Sequence, residues 1–258
     1  MLMKNHLQAM IVAGLAIASS TAVNADLLYR FTFEGQDDPV RLTSVGSLKT
    51  TAKVREIDGQ KIEFVKDTPA KEKYSCKFIL DPRFERGAML VLPESAKELP
   101  CAKTGDKMTV AMWVKWGGTT REASGLASKS NTNQTSGWMF RIMKDGKLSF
   151  ASCGGYGSRN STAQVEKDKW THVAVTWDVG NPQGVIMYIN GVNAGISLDY
   201  VGTDGSKENT EKIRLGVQTP EQYLPLNGSI HDVRLYNEVL TPDAITQLAK
   251  ETVPATEK

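Results

Sequence analysis

No run of like charge marks this sequence. It has 31 lysines and arginines against 29 acids, a formal net charge of +2 with histidine neutral. That balance excludes the basic face that nucleic acid or an anionic membrane surface requires. Histidine is scarce, at three residues, and His6 lies near the N-terminus. Neither a Cys-x-x-C pair nor a G-x-S-x-G turn occurs, so a zinc site and Ser–His–Asp chemistry lack support. Long apolar runs are missing as well. Leu7–Ala18 is too short to span a bilayer comfortably. Lys4 precedes it, small polar residues follow it, and Val23-Asn24-Ala25 fits a cleavage signal. Residues 1–25 therefore read as a secretory signal peptide cut before Asp26. Loss of Lys4 with the leader lowers the net charge to +1. The expected product is a bacterial protein that is secreted, periplasmic or on the cell surface, with no nucleic-acid partner and no membrane insertion.

Cysteine is also sparse, with three residues, all beyond the leader. Export permits a disulfide, and an odd count leaves one thiol over. The expected bridge is Cys76–Cys101. Cys153 is the thiol left over, placed opposite Trp138 if Asp145-Gly146 is a two-residue turn, and so buried and inert.

What is present is alternation. Asn190-Gly191 is a strong two-residue hairpin signal, because both residues tolerate the positive φ of a type I′ turn. With that turn, Ile189 faces Val192, Met187 faces Ala194 and Val185 faces Ile196, all apolar and on one face. Met108, Val110, Met112, Val114 and Trp116 share one face of a second strand. Further strands are expected over Leu27–Phe33, Ile62–Val65, Ala88–Leu92, Trp138–Met143, Leu148–Ala151, Trp170–Trp177, Val185–Ile189, Val192–Leu198, Ile213–Val217 and Ser229–Tyr236. Gly- and Asn-containing turns punctuate them. Helical patterning is confined to the end, where Thr241 suits an N-cap, Pro242 the first turn, and Ile245, Leu248 and Ala249 form an apolar stripe. The pattern predicts an all-β fold, an antiparallel two-sheet jelly-roll sandwich with a short C-terminal helix. One domain is expected over residues 26–250, followed by a polar tail, 251–258.

Four segments resemble the LamG-like jelly-roll family of the concanavalin A-like lectin/glucanase superfamily. They are MTVAMWVKW, GLASKSNTNQTSGWMFRIMKDGKLSF, KWTHVAVTWDVGNPQGVIMYINGV, and IRLG followed by LNGSIHDVRLYNEVLTPDAITQLA. The third is the most diagnostic. The resemblance covers Met108–Lys250. It implies two face-to-face antiparallel sheets and a role in extracellular recognition, adhesion or carbohydrate binding. Catalytic relatives carry an E-x-D-x-x-E strand, and no such spacing occurs here. Some relatives hold Ca²⁺ at acidic rim positions, where this chain has His231-Asp232.

The expectation is thus a non-catalytic recognition domain that binds carbohydrate or a glycoconjugate. The alternative is an envelope structural or adhesion protein that binds other proteins at the cell surface, and a carbohydrate-active enzyme ranks third. The glycine-rich stretch Cys153–Asn160 is expected at a sheet edge. Tyr156, Arg159 and Asn160 in it, with Trp138, are the candidate ligand-binding residues, since aromatic faces suit sugar C–H groups and polar side chains read hydroxyls; the stretch equally reads as a flexible connection, and core is the safer place for Trp138. Ca²⁺ is the one metal worth keeping, with Asp199, Asp204 and Asp178 as its candidate ligands, although solvated turn acids are the favoured reading of these residues.

Overall fold

The computed structural model describes residues 26–34, 42–69, 74–81, 83–92, 105–153, 157–181, 183–197 and 210–251. The leader and the tail beyond Glu251 lie outside that set, as do Cys101, Tyr156, Asp199 and Asp204. Among the described residues the chain forms two antiparallel sheets and one short helix at the C-terminal end.

The first sheet is built on β6 (Lys107–Trp116), β11 (Trp170–Asp178) and β15 (Gly228–Tyr236). Its order is β13–β12–β11–β6–β15–β4–β3, where β12 is Val185–Ile189, β13 is Val192–Asn193, β4 is Ser75–Ile79 and β3 is Lys61–Val65. Strand β1 (Leu27–Phe31) also pairs with β15, beyond the β4 pairing. The second sheet runs β10–β9–β8–β7–β14–β5–β2. Here β10 is Ser158–Gln164, β9 Lys147–Ser152, β8 Trp138–Met143, β7 Ala123–Ser128, β14 Arg214–Leu215, β5 Met89–Val91 and β2 Lys53–Arg55.

Alternation puts Val110, Met112, Val114 and Trp116 of β6, Val173, Val175 and Trp177 of β11, and Phe140, Ile142, Leu148 and Phe150 of the second sheet into one core. Side chains alternate faces along a strand, so this set is the inner face of both sheets. The opposite face of the first sheet is covered too. Helix α1 (Pro242–Glu251) lays Ile245 and Leu248 over Ala111, Ala174, Tyr188 and Tyr236. Its cap is the expected one, with Ala244 N donating to Thr241 Oγ1 at 3.2 Å.

The Asn190-Gly191 hairpin forms with the expected register. Ile189 pairs Val192, and Asn190 and Gly191 take φ of 51° and 80°. The six apolar residues do not share one burial. Val185, Met187 and Ala194 are buried, whereas Val192 at the turn is 68% exposed. The second hairpin departs by one residue. Ile142 pairs Leu148 and Trp138 pairs Ser152, so Lys144, Asp145 and Gly146 form a three-residue loop with Gly146 at φ 88°. A type I turn closed by a left-handed glycine adds that residue. Cys153 therefore does not face Trp138. It packs with Met139 and Ala151 on the other side of the sheet, buried as expected. Four strands were not anticipated: β2, β4, β7 and β10. β10 turns part of the expected Cys153–Asn160 loop into an edge strand. Val192–Leu198 and Ile213–Val217 shorten to two-residue strands.

Candidate functional site

The residues singled out in the sequence do not assemble. Trp138 is 2% exposed and stacks on Phe150, centroids 6.4 Å apart, inside the core. A buried ring cannot offer its face to a sugar, so Trp138 is not a ligand-binding residue and takes the core place that is its safer reading. Arg159 and Asn160 lie on the edge strand β10. Burial draws the Arg159 pKa down, and Asn160 O receives Ser197 N at 2.8 Å and Ser197 Oγ at 3.1 Å. Tyr156 lies outside the described residues.

Asp178 closes β11 opposite Lys107. Among the described residues no group of three or more His, Cys, Asp or Glu is placed to hold a metal. Asp178 by itself does not fit Ca²⁺, which wants six to eight oxygens. Asp199 and Asp204 lie outside the described residues. Cys76 is a fully buried free thiol, and its expected partner Cys101 lies outside the described residues.

The structure assembles a different set of residues, on the outer side of the second sheet. A cleft of about 330 Å³ opens there, lined by Glu85, Arg121, Glu122, Thr132, Gln134, Gln218, Thr219, Glu221, Tyr223 and Leu224. Its floor depends on Gly125 in β7. A Cβ there would lie 2.2 Å from the Val217 carbonyl carbon and 2.4 Å from Gln218 N. Only glycine lets the segment after β14 cross β7 at that distance. The crossing buries Gln218, whose Oε1 accepts from Arg141 Nη1 at 3.0 Å. Arg141 Nε reaches Ser149 Oγ at 3.2 Å. Burial lowers the Arg141 pKa, with the Glu122 charge acting in the opposite sense.

The wall is a tight loop. Gln218 N donates to Tyr223 O and Gln222 N to Thr219 O, both at 3.0 Å. Gln222 and Leu224 sit at φ 68° and 49°, a left-handed backbone that non-glycine residues rarely take. Surrounding bonds hold it there. Gln222 Nε2 donates to Gly87 O at 2.8 Å, and Gly87 N donates back to Gln222 O at 3.0 Å. This clamp presents Tyr223, 37% exposed, at the lip. The Arg86 guanidinium lies 5.1 Å from its ring centroid, and Arg86 Nη2 donates to its hydroxyl at 3.3 Å. Opposite, Thr132 Oγ1 hydrogen-bonds Glu221. Burial pushes the Glu221 pKa up, but hydrogen bonds to its carboxylate, led by that of Thr132, win and hold it low.

The result is one aromatic platform beside amides, hydroxyls and carboxylates, of which Tyr223, Gln218, Thr132 and Glu221 are held by neighbours. That chemistry reads hydroxyl-rich ligands: ring faces on the aromatic, hydroxyls on the polar groups. Sequence reasoning missed these residues because they come from four separate loops with no shared spacing. The available signal was Pro220 and Pro225 bracketing an aromatic residue in a connection between strands.

A family model described as the concanavalin A-like lectin/glucanases superfamily, Laminin_G_3, matches residues 94–246. Among solved structures, domain 4 of a GH43 extracellular arabinanase from Geobacillus stearothermophilus, in complex with arabinotriose, is similar at TM-score 0.58 and 20% identity. The match covers 87% of this chain and 98% of that one. A botulinum neurotoxin serotype D/C binding domain is similar at TM-score 0.60 and 15% identity, over 88% of this chain and 52% of that one. A Trypanosoma rangeli sialidase in complex with 2,3-difluorosialic acid matches at TM-score 0.59 and 13% identity, over 90% of this chain and 34% of that one. This chain thus spans about half of the toxin domain and a third of the sialidase. No curated protein matches the sequence. At these identities the likeness is one of fold.

Proposed function

We propose, for a chain that belongs to the Laminin_G_3 family of the concanavalin A-like lectin/glucanases superfamily, that it is a carbohydrate-binding protein and acts by recognition. The observation that carries this reading is Tyr223, held open to solvent at the lip of a cleft whose other walls are amides, hydroxyls and carboxylates. An aromatic ring left 37% exposed and clamped by Arg86 has already lost most of its conformational freedom before a ligand arrives. The arabinanase domain in complex with arabinotriose lends support, since the two chains align over almost the whole of that domain. A leader at residues 1–25 would take the protein out of the cytoplasm, where glycans of walls and matrices are met.

Glycan-array screening of the full chain, followed by calorimetric titration of the hits, tests this. Wild type should bind at least one glycan, and Tyr223→Ala should weaken it at least tenfold, about 1.4 kcal/mol. Chelation of divalent ions should leave the affinity unchanged. Silence on the array would overturn the reading in favour of adhesion through protein partners. Release of cleaved sugar would overturn it in favour of an enzyme.

A further inference from the structure

We propose that the cleft is one half of a longer groove, built for a neutral oligosaccharide of at least two units that crosses the Glu85–Arg121 ion pair. This rests on the glycan reading above and adds a second subsite to it. The second cleft, about 200 Å³, is lined by Leu80, Phe84, Lys167, Pro225 and Asn227, with Arg121 again.

The two clefts draw on neighbouring stretches of chain and share a lining residue. Phe84 lines one and Glu85 the other, Pro225 one and Leu224 the other, and Arg121 lines both. One side chain borders both clefts. That side chain is Arg121, whose Nη1 lies 2.9 Å from Glu85 Oε1. This divider is polar, and Arg121 Nε is buried with no hydrogen-bond partner. An unmet buried donor is costly, and here it stands where both clefts meet.

Each cleft has its own aromatic residue. Phe84 and Tyr223, 39% and 37% exposed, are the two aromatic residues among the exposed large hydrophobics of the described residues. The Phe84 backbone is held in place. Its N donates to Asp81 O at 3.0 Å in a turn, and Asp81 N donates to Gln60 Oε1 at 2.6 Å. Asp81 Oδ1 accepts from Arg83 N at 3.0 Å within the same turn. Small-ligand sites usually span about 300–1,000 Å³. The second cleft falls short of that range by itself and enters it only as an extension of the first. Glu85, Glu122 and Glu221 make the wider cleft acidic, which disfavours polyanionic glycans there and favours a neutral chain.

The test is calorimetry on the full chain with length ladders: cello- and chito-oligosaccharides of one to five units, and arabinose, arabinobiose and arabinotriose. For the series that binds, affinity should rise at least tenfold from one unit to three. Phe84→Ala should remove that gain and leave single-unit affinity unchanged, whereas Tyr223→Ala should weaken every length. Lys167→Ala, a second change confined to the smaller cleft, should also reduce the gain. Equal affinity at all lengths would overturn the groove and leave a single-subsite lectin standing, as would a length gain untouched by both Phe84→Ala and Lys167→Ala. Absence of binding at every length in all three series, with an array that is silent too, would overturn the glycan reading and the groove together.

Discussion

Asp232 and Arg234 lie one residue apart, yet their side chains meet in a buried two-bond pair, Nη2 to Oδ2 at 2.6 Å and Nε to Oδ1 at 3.1 Å. A bulge makes this possible. Between His231 and Arg234 the register of β15 against β6 slips, and Asp232 takes φ 49°. Arg30 of β1 adds a second fork, Nε to Oδ1 at 2.7 Å, and Arg234 reaches on to Glu251 of α1 at 2.8 Å. A buried carboxylate thus joins the first strand, the last strand and the helix.

Removing that carboxylate should cost about 3 kcal/mol, because it takes the shared acid from Arg30 and leaves the buried Arg234 with Glu251 alone. Asp232→Ala should lower the urea midpoint accordingly at pH 7. Burial raises the Asp232 pKa, but Arg234 and Arg30 override it and hold it at about 2. The folded value lies below the unfolded one, so this stabilisation is complete above about pH 4 and is lost as pH falls toward 2. The difference between wild type and variant should narrow over that window. A gap that stays constant from pH 5 to pH 2 would count against the pairing.

His172 adds a second acid-sensitive step at higher pH. It is buried against Trp113, ring centroids 5.5 Å apart, and its Nδ1 has no hydrogen-bond partner. Burial, reinforced by the Arg234 charge and opposed by Asp232, lowers its pKa to about 4. The unfolded histidine takes up a proton near pH 6.5. The folded protein therefore binds fewer protons between those values, and stability falls as pH drops from about 6.5 to 4. Urea melts at pH 7 and pH 5 should show the loss in wild type. In His172→Phe, which cannot titrate, most of the pH dependence in that range should vanish.

Gly125→Ala should damage the cleft more than the fold. The added methyl runs into backbone at Val217 and Gln218, not into a movable side-chain end. The crossing segment must lift, carrying Gln218 and Tyr223 with it. We expect a loss of about 1–3 kcal/mol in stability and at least a tenfold loss of glycan affinity. Unchanged binding would mean that this crossing does not position the site.

Thiol labelling should separate native from unfolded protein. Burial pushes the Cys153 pKa up to about 12 and that of Cys76 well above its ordinary value, and the thiolate is the reactive form. Iodoacetamide at pH 8 should label neither residue until denaturant is added. Peptide mapping of the denatured, unreduced protein should recover Cys76 carrying the label, and a Cys76–Cys101 peptide in its place would overturn the free thiol.

Much of the sandwich was legible because burial imposes period two on a strand. Met108 to Trp116 and the Asn190-Gly191 hairpin carry that period without interruption. β7, ASGLAS, carries none, because small residues are needed where another segment crosses it. β10, SRNSTAQ, is polar because it lies at an edge. The Asp145-Gly146 register slipped because a glycine after aspartate closes a two- or a three-residue loop equally well. The site was the least legible part. Glu85, Arg121, Thr132, Gln218 and Tyr223 converge only once both sheets have formed, and no local pattern encodes convergence of loops. Trp138 carried two readings because an aromatic beside a glycine-rich stretch looks alike whether it lines a groove or fills a core, and the core reading holds.

Strand β15 comes near the end of the chain but lies in the interior of the first sheet, pairing with β6 on one side and with β1 and β4 on the other. Vectorial synthesis therefore delivers the keystone late. Until residues 228–236 leave the ribosome, β6 and the strands of the N-terminal half have open edges facing each other across a gap. Such edges invite pairing with other chains. A chain truncated before Gly228 should aggregate, and one that carries residues 228–236 should not.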